Sequence, residues 1–342
     1  MKIGILTGGG DCPGLNGTLR AVVRRSARYG HEVNGIIDGW KGLLEERYMP
    51  LTVEGTSGIL SIGGTIIGSS RTNPLREAGN KEKLVRHFKK TGFDALVAIG
   101  GEDTLGVASK LHQEEGIPLI GVPKTIDNDL SATDFTFGFD TAVNVAMESV
   151  DRLQTTTASH HRVMVVEVMG RYAGWIAFYC GVISSADVTL VPEKPFDMDD
   201  VLRHVKSAYL RKHYAMVVVA EGVKFPETHA EVWKDVRLDE FGHAILGGVG
   251  DVLARWIEKE SGIQARSVTL GHTLRGGSPT AFDRMLATRF GVAAADLVNR
   301  QDWGKMVALK GNTIVSVPLA EAVATLKTVP PELFEVAETF FG

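Results

Sequence analysis

Short apolar runs alternating with amphipathic stretches along nearly the whole chain set the strongest limit on its fold. Lys2–Thr7 (KIGILT) reads as a buried strand, Gly8–Gly14 as a loop and Leu15–Arg28 (LNGTLRAVVRRSAR) as a helix, with Val33–Ile37 the next strand. Strands are predicted again at Ala95–Ile99, Pro118–Val122, Arg162–Val168, Val188–Val191, Ala215–Ala220 and Ser267–Leu270. Amphipathic stretches at Lys81–Lys90, Ala142–Leu153, Met198–Leu210 and Val249–Ser261 separate them. A strand that is apolar throughout must be covered on both faces, which predicts an α/β fold of parallel sheets flanked by helices, and six or more such units call for two sheets. At 342 residues, 44% hydrophobic and 23% charged, the chain is long enough to bury two domain cores. The polar segment Lys224–Gly242 is expected to be a surface excursion.

Composition removes several classes of function. A net charge of −4 supplies no overall basic field, so neither nucleic acid nor an anionic membrane is an expected partner. Cys12 and Cys180 are too few for a disulfide framework or a cysteine-based zinc site. The apolar run in MKIGILTGGG is too short for a secretory signal, and no stretch approaches the ~20 apolar residues of a membrane span. The expected compartment is the cytoplasm.

The chemistry is written in the loops after the strands, where ligands bind in open α/β sheets. These loops read TGGGDCPGLNG (Thr7–Gly17), GGEDT (Gly100–Thr104), PKTIDND (Pro123–Asp129), VMGRYAG (Val168–Gly174), AEG (Ala220–Gly222) and GHTLRGGSP (Gly271–Pro279). Each has an ordinary explanation when taken singly. A triple glycine makes a tight turn, and this one lacks both the Gly-Lys-Ser/Thr ending of a P-loop and the spaced glycines of a dinucleotide fingerprint. Asp127 and Asp129 suit a turn or a helix cap, and Arg162, Arg171, Arg266, Arg275 and His272 suit a solvated surface. Glycine beside charge at nearly every strand end is harder to explain that way. Guanidinium forks match a doubly anionic phosphate ester. Aspartates without a Ser-His or Cys-His arrangement suit a base acting on an alcohol, with a further carboxylate holding a divalent cation. Together they describe phosphoryl transfer to a hydroxyl of a sugar phosphate.

With GGTIIGSSR (Gly63–Arg71), VEVMGRYAGW (Val166–Trp175) and LGHTLRGGSPTAFDR (Leu270–Arg284) added in this order, the chain resembles the phosphofructokinase family from end to end. The resemblance implies two doubly wound domains with largely parallel sheets and the active site in the cleft between them. Residues 1–138 plus about 274–325 would take the phosphoryl donor and Mg2+; residues 139–273 plus about 326–342 would bind the sugar phosphate. It also implies a homodimer or homotetramer with shared active sites. Asp127 is then the base that takes the proton from the 1-hydroxyl of fructose 6-phosphate, with Thr125 and Asp129 shaping its loop. Arg171 stabilises the transferring phosphoryl group, and Met169 and Gly170 lie against the sugar. Arg162, Arg266, His272 and Arg275 hold the 6-phosphate, Arg162 and Arg266 reaching in from the neighbouring subunit. Glu221 accepts a hydrogen bond from a sugar hydroxyl, Gly9, Gly10 and Arg71 meet the donor, and Glu102 is the magnesium carboxylate, at a position where Asp is commoner.

Two adjacent carboxylates, Glu102 and Asp103, are unexpected in a loop that should receive phosphate. Magnesium would neutralise Glu102. At the position of Asp103, family members that use ATP typically carry glycine, which leaves space for the α-phosphate. A carboxylate there fills the space and repels that phosphate at a cost of several kcal/mol in a partly desolvated site. Pyrophosphate has no α-phosphate and escapes the penalty. Lys124 is typical of pyrophosphate users, although some ATP users share it, and its ammonium would offset charge on the leaving phosphate. Pyrophosphate is therefore the expected donor. The other readings are an ATP-dependent enzyme, Asp103 then being only the cap of the following helix, a catalytically inactive sugar-phosphate sensor, and a dinucleotide-binding oxidoreductase. Arg20 and Arg24 lie where allosteric relatives bind a nucleotide effector, but two arginines four apart on a helix are ordinarily solvated.

Overall fold

The computed structural model describes residues 1–226, 237–238, 244–245 and 248–341, so most of the polar excursion at Lys224–Gly242 lies outside the described residues. In chain order the elements are β1 (Lys2–Thr7), α1 (Leu15–Arg28), β2 (Glu32–Ile36), α2 (Trp40–Leu44), β3 (Tyr48–Leu51), α3 (Asn80–Thr91), β4 (Ala95–Gly100), α4 (Glu102–Glu115), β5 (Leu119–Pro123) and α5 (Phe139–Ser159). They continue with β6 (Val163–Val168), α6 (Trp175–Ile183), β7 (Val188–Leu190), α7 (Met198–Lys212), β8 (Ala215–Ala220), the two-residue strands β9 (Arg237–Leu238) and β10 (Ala244–Ile245), α8 (Val249–Ser261) and β11 (Ala265–Thr269). The remainder is α9 (Ala281–Arg300), β12 (Lys305–Lys310), β13 (Thr313–Pro318), α10 (Leu319–Ala322) and α11 (Pro331–Glu338).

Two compact units share this chain. The first comprises Met1–Ile126, Leu130–Thr141 and Arg275–Leu326. Its seven-stranded sheet has the order β13-β12-β5-β4-β1-β2-β3, parallel throughout except for the antiparallel edge strands β3 and β13. Every residue of β4 and β5 is buried, as a central parallel strand covered on both faces requires. From β1 the chain goes to β2 on one side and returns as β4 on the other, so the strand order reverses at the β1–β4 pair. There Thr7 stands opposite Ile99, and the Gly8 N–H donates to the Ile99 carbonyl at 2.9 Å. The glycine loops after β1 and β4 therefore meet at a topological switch point, the favoured ligand position in such sheets. Helices α1 and α9 pack so closely that a Cβ on Gly291 would lie 2.7 Å from the Thr18 carbonyl oxygen.

The second unit comprises Asp127–Asp129, Ala142–Leu274 and Lys327–Gly342. Its four-stranded sheet, β11-β6-β8-β7, is parallel throughout, and β6 and β8 are buried along their whole length. Val168 pairs with Ala220 and Glu167 with Thr269, so the carboxyl ends of β6, β8 and β11 are level. Among the described residues no helix is long and apolar enough to cross a membrane.

Candidate active site

In the first unit, three loops after buried strands interlock. A Cβ on Gly8 would lie 2.5 Å from Thr104 Oγ1, and one on Gly100 would overlap the Thr104 side chain. Thr104 carries no role in the sequence reading, although it closes the GGEDT motif. Lys124, 3% exposed, joins the same cluster. Its N–H donates to the Gly100 carbonyl at 2.9 Å and its ammonium to the Gly10 carbonyl at 2.5 Å, placing a water-shielded positive charge under the triple glycine. The Gly9 N–H donates to the Ser70 carbonyl (2.9 Å) and the Gly9 carbonyl accepts from Ser69 Oγ (2.6 Å). The Gly9 amide is thus already engaged, and what this glycine supplies is its left-handed turn, φ +78°. At Gly10 a Cβ would overlap the guanidinium of Arg275, whose Nη1 donates to the Asp11 carbonyl at 3.3 Å. Arg275 accordingly sits on the triple-glycine loop.

The segment Gly63–Arg71 is pinned beside this loop. Asn16 receives the Ile66 N–H at 2.8 Å and donates to the Ile62 carbonyl at 3.0 Å, and Thr7 Oγ1 donates to the Gly68 carbonyl at 2.7 Å. Arg71, at the end of the segment, is exposed. The roles of Asn16, Ser69 and Ser70 were missed, yet all three lie inside motifs quoted above, and short polar side chains beside glycines were the available signal.

Gly101 is the N-cap of α4, and Glu102 and Asp103 are its first two residues, both exposed. Asp103 is therefore not the helix cap. The two carboxylates instead occupy the positive end of the helix, where an anion would otherwise bind. Among the described residues no group of three or more His, Cys, Asp or Glu side chains is arranged to hold a metal. Glu102 nevertheless fits magnesium, which is ordinarily held by one or two carboxylates together with substrate phosphates and water. Burial pushes the Cys12 thiol, behind the triple-glycine loop, up to about 12, against the opposing pull of Lys124, so it is inert.

Thr125 remains with the first unit, its carbonyl accepting from Thr136 Oγ1 at 2.8 Å, whereas Asp127–Asp129 belong to the second. Asp127 and Asp129 are half-buried, and Asn128, fully buried, has the left-handed φ of +51°. At the carboxyl ends of β6 and β8, the Glu221 N–H donates to the Val168 carbonyl (2.9 Å) and the Gly222 N–H to that of Gly170 (3.0 Å). Gly222 has no room for a side chain, since a Cβ would overlap the Arg171 carbonyl. The Arg171 guanidinium lies 6.0 Å from the centre of the Tyr172 ring, and Met169 is buried. Burial raises the Glu221 carboxyl from 4.5 to about 7, the neighbouring charge of Asp127 adds to the rise, and the Gly170 amide and Arg171 oppose it. Glu221, expected only to accept, is thus half-protonated near neutrality and can donate as well.

His272, exposed, follows β11 on the turn Gly271–Arg275. Arg162 and Arg266 are elsewhere: they stand at the amino ends of β6 and β11, where Arg266 pairs in register with Met164. A strand of this length spans roughly 17–20 Å, so the structure does not bring these two arginines to the carboxyl-end loops of their own chain. Arg266 Nη1 lies 3.3 Å from Glu258 Oε2.

The sequence pattern described as Phosphofructokinase matches residues 2–298. The chain belongs to the phosphofructokinase family. It is 55% identical to a pyrophosphate–fructose 6-phosphate 1-phosphotransferase of Streptomyces coelicolor, with both chains covered completely. It is 51% identical to ATP-dependent 6-phosphofructokinase 2 of the same organism, again over all of both chains. Among solved structures, Pichia pastoris phosphofructokinase in the T-state superposes with a TM-score of 0.83 at 32% identity, over 94% of this chain and 35% of the longer yeast chain. The phosphofructokinase fold thus includes both sheets described above, while two close relatives differ in the donor they are named for.

Proposed function

We propose that this phosphotransferase is a pyrophosphate-dependent 6-phosphofructokinase, converting fructose 6-phosphate and pyrophosphate reversibly to fructose 1,6-bisphosphate and phosphate. The observation that carries the choice of donor is Asp103 in the first turn of α4, beside Glu102. Two carboxylates at a helix end that would otherwise attract a polyphosphate disfavour a donor with a third phosphate and a nucleoside. A short donor can be held by the opposite charge of Lys124, whose ammonium lies on the neighbouring glycine loop.

In the reaction, Asp127 accepts the proton of the 1-hydroxyl as its oxygen attacks the terminal phosphorus. The bridging P–O bond breaks, and phosphate departs with the electron pair. Lys124 and Arg171 oppose the charge that develops, and Glu221, Met169 and Gly170 orient the sugar. Magnesium held by Glu102 and donor oxygens would screen the phosphates from each other and from the loop. His272 and Arg275 belong to the 6-phosphate site. Arg162 and Arg266, at the far end of their strands, serve the site of a neighbouring subunit in a homo-oligomer. A cytoplasmic location fits these substrates.

The test is Asp103→Gly, assayed with each donor. The ratio of kcat/KM for ATP to that for pyrophosphate should rise at least tenfold, equivalent to ~1.4 kcal/mol of differential transition-state stabilisation. Lys124→Gly alone should depress pyrophosphate use without opening ATP use. An unchanged ratio in Asp103→Gly, or a wild-type enzyme that prefers ATP, would return the donor assignment to ATP.

A further inference from the structure

We propose that the carboxyl-terminal segment Lys327–Val329 is a strap that sets the conformation of the Asp127 loop, with Lys327 a positioning residue for the base. The inference rests on the assignment of Asp127 above.

Lys327 grips the loop at two points. Its ammonium donates to Asn128 Oδ1 at 3.0 Å, and its N–H donates to the Asp129 carbonyl at 2.8 Å. Asn128 directly follows the base and is held at φ +51°, a left-handed turn conformation that asparagine adopts more readily than most residues and that fixes the direction of the chain beside Asp127. Asn128 is 1% exposed, so the grip operates in a poorly solvated place where a charge-assisted hydrogen bond is strong.

The strap is itself fastened to the loop that carries Arg171. Trp175 Nε1 donates to the Lys327 carbonyl at 2.9 Å, and the Lys327 ammonium lies 5.5 Å from the centre of the Trp175 ring. Two residues on, the Val329 N–H donates to Glu193 Oε1 at 3.1 Å, and the same oxygen accepts the Gly174 N–H at 2.8 Å. Val329 is buried at 2% exposure, which anchors the end of the strap. One extended segment, distant in sequence from both loops, therefore fixes the backbone beside the base and the backbone just after Arg171. A displacement of about 1 Å in a catalytic group is enough to cost ~10²-fold in rate.

The experiment uses the full chain with Lys327→Met, which keeps the length of the stem but removes the donor and the charge. The kcat for fructose 6-phosphate should fall at least tenfold, KM should change less than threefold, and Lys327→Arg should recover most of the loss because its guanidinium can reach the same acceptor. Trp175→Phe, which deletes the indole donor and keeps a ring, should lower kcat in the same direction, and it decides the matter if Lys327→Met does not fold. Variants with wild-type kcat overturn the strap. So does a lowered kcat accompanied by a tenfold rise in KM and no recovery by arginine, the pattern of general structural damage. A wild-type chain that phosphorylates fructose 6-phosphate from neither donor would instead overturn the function proposed above.

Discussion

Replacing Glu221 by Gln should remove an ionisation that governs sugar-phosphate use near neutral pH. The carboxyl titrates from 4.5 ordinarily to about 7 here, because burial disfavours its charge and Asp127 lies close by. That is a proton affinity higher by roughly 300-fold, on the order of 3 kcal/mol at ~1.4 kcal/mol per unit. The sign follows from the charges present. Below about pH 7 Glu221 is protonated, adds no negative charge beside Asp127, and can donate to a sugar oxygen. Above it, the site holds a second carboxylate and must then admit a dianionic sugar phosphate. The wild-type kcat/KM for fructose 6-phosphate, which reports ionisations of the free enzyme, should therefore decline as pH rises through about 7. Glu221→Gln keeps a neutral donor and acceptor of the same length, so it should retain efficiency within about threefold at pH 6 and lose the decline. Initial rates at limiting fructose 6-phosphate between pH 5.5 and 8.5, with saturating donor, measure both. A variant that still declines with an apparent pKa near 7, or a wild type flat across that range, would refute the reasoning.

Asp127→Ser should leave sugar-phosphate affinity near normal and lower kcat by ~10²–10⁴-fold, the usual worth of a positioned base. Mixed with Arg162→Ala chains, it should regain part of the wild-type rate if the arginine serves a neighbouring subunit. No recovery after mixed assembly is demonstrated would count against a shared site. Asp283, buried and accepting from both the N–H (2.8 Å) and Oγ1 (2.5 Å) of Thr141, is raised from 3.8 to about 6 chiefly by burial. The folded state thus holds this proton more tightly than the unfolded state, and stability falls as pH rises from about 4 through 6, by on the order of 3 kcal/mol. Urea unfolding across that window should show the fall in the wild type and its loss in Asp283→Asn.

Local signals made much of the fold legible. The strand at Lys2–Thr7 and the helices at Leu15–Arg28 and Val249–Ser261 have the predicted bounds, because apolar runs and amphipathic spacing are complete within those segments. The hairpin of β12 and β13 was not proposed, although Gly311 and Asn312 mark its turn, and neither was α9, which begins within the last motif and runs well past it. At the candidate site, the glycine-and-charge loops read from the sequence lie after β1, β4, β5, β6, β8 and β11. The engagement of the Gly9 amide by Ser70, the seating of Arg275 on Gly10 and the protonation of Glu221 depend on contacts between distant segments, which no local pattern encodes. The Lys327 strap is the extreme case, since its partners lie 152 and 199 residues away along the chain.

The interlock of Gly8, Gly100 and Thr104 bears on how donor preference can drift or be redesigned. Neither glycine can acquire a side chain while Thr104 stays, so three positions spread over nearly a hundred residues must change together or not at all. Asp103 lies next to Thr104 but is exposed and outside that constraint. With the role proposed for Asp103, exchange of the donor should be open to single substitutions, whereas a chimera that imports one glycine loop without its counterpart should fail in packing before its chemistry is tested.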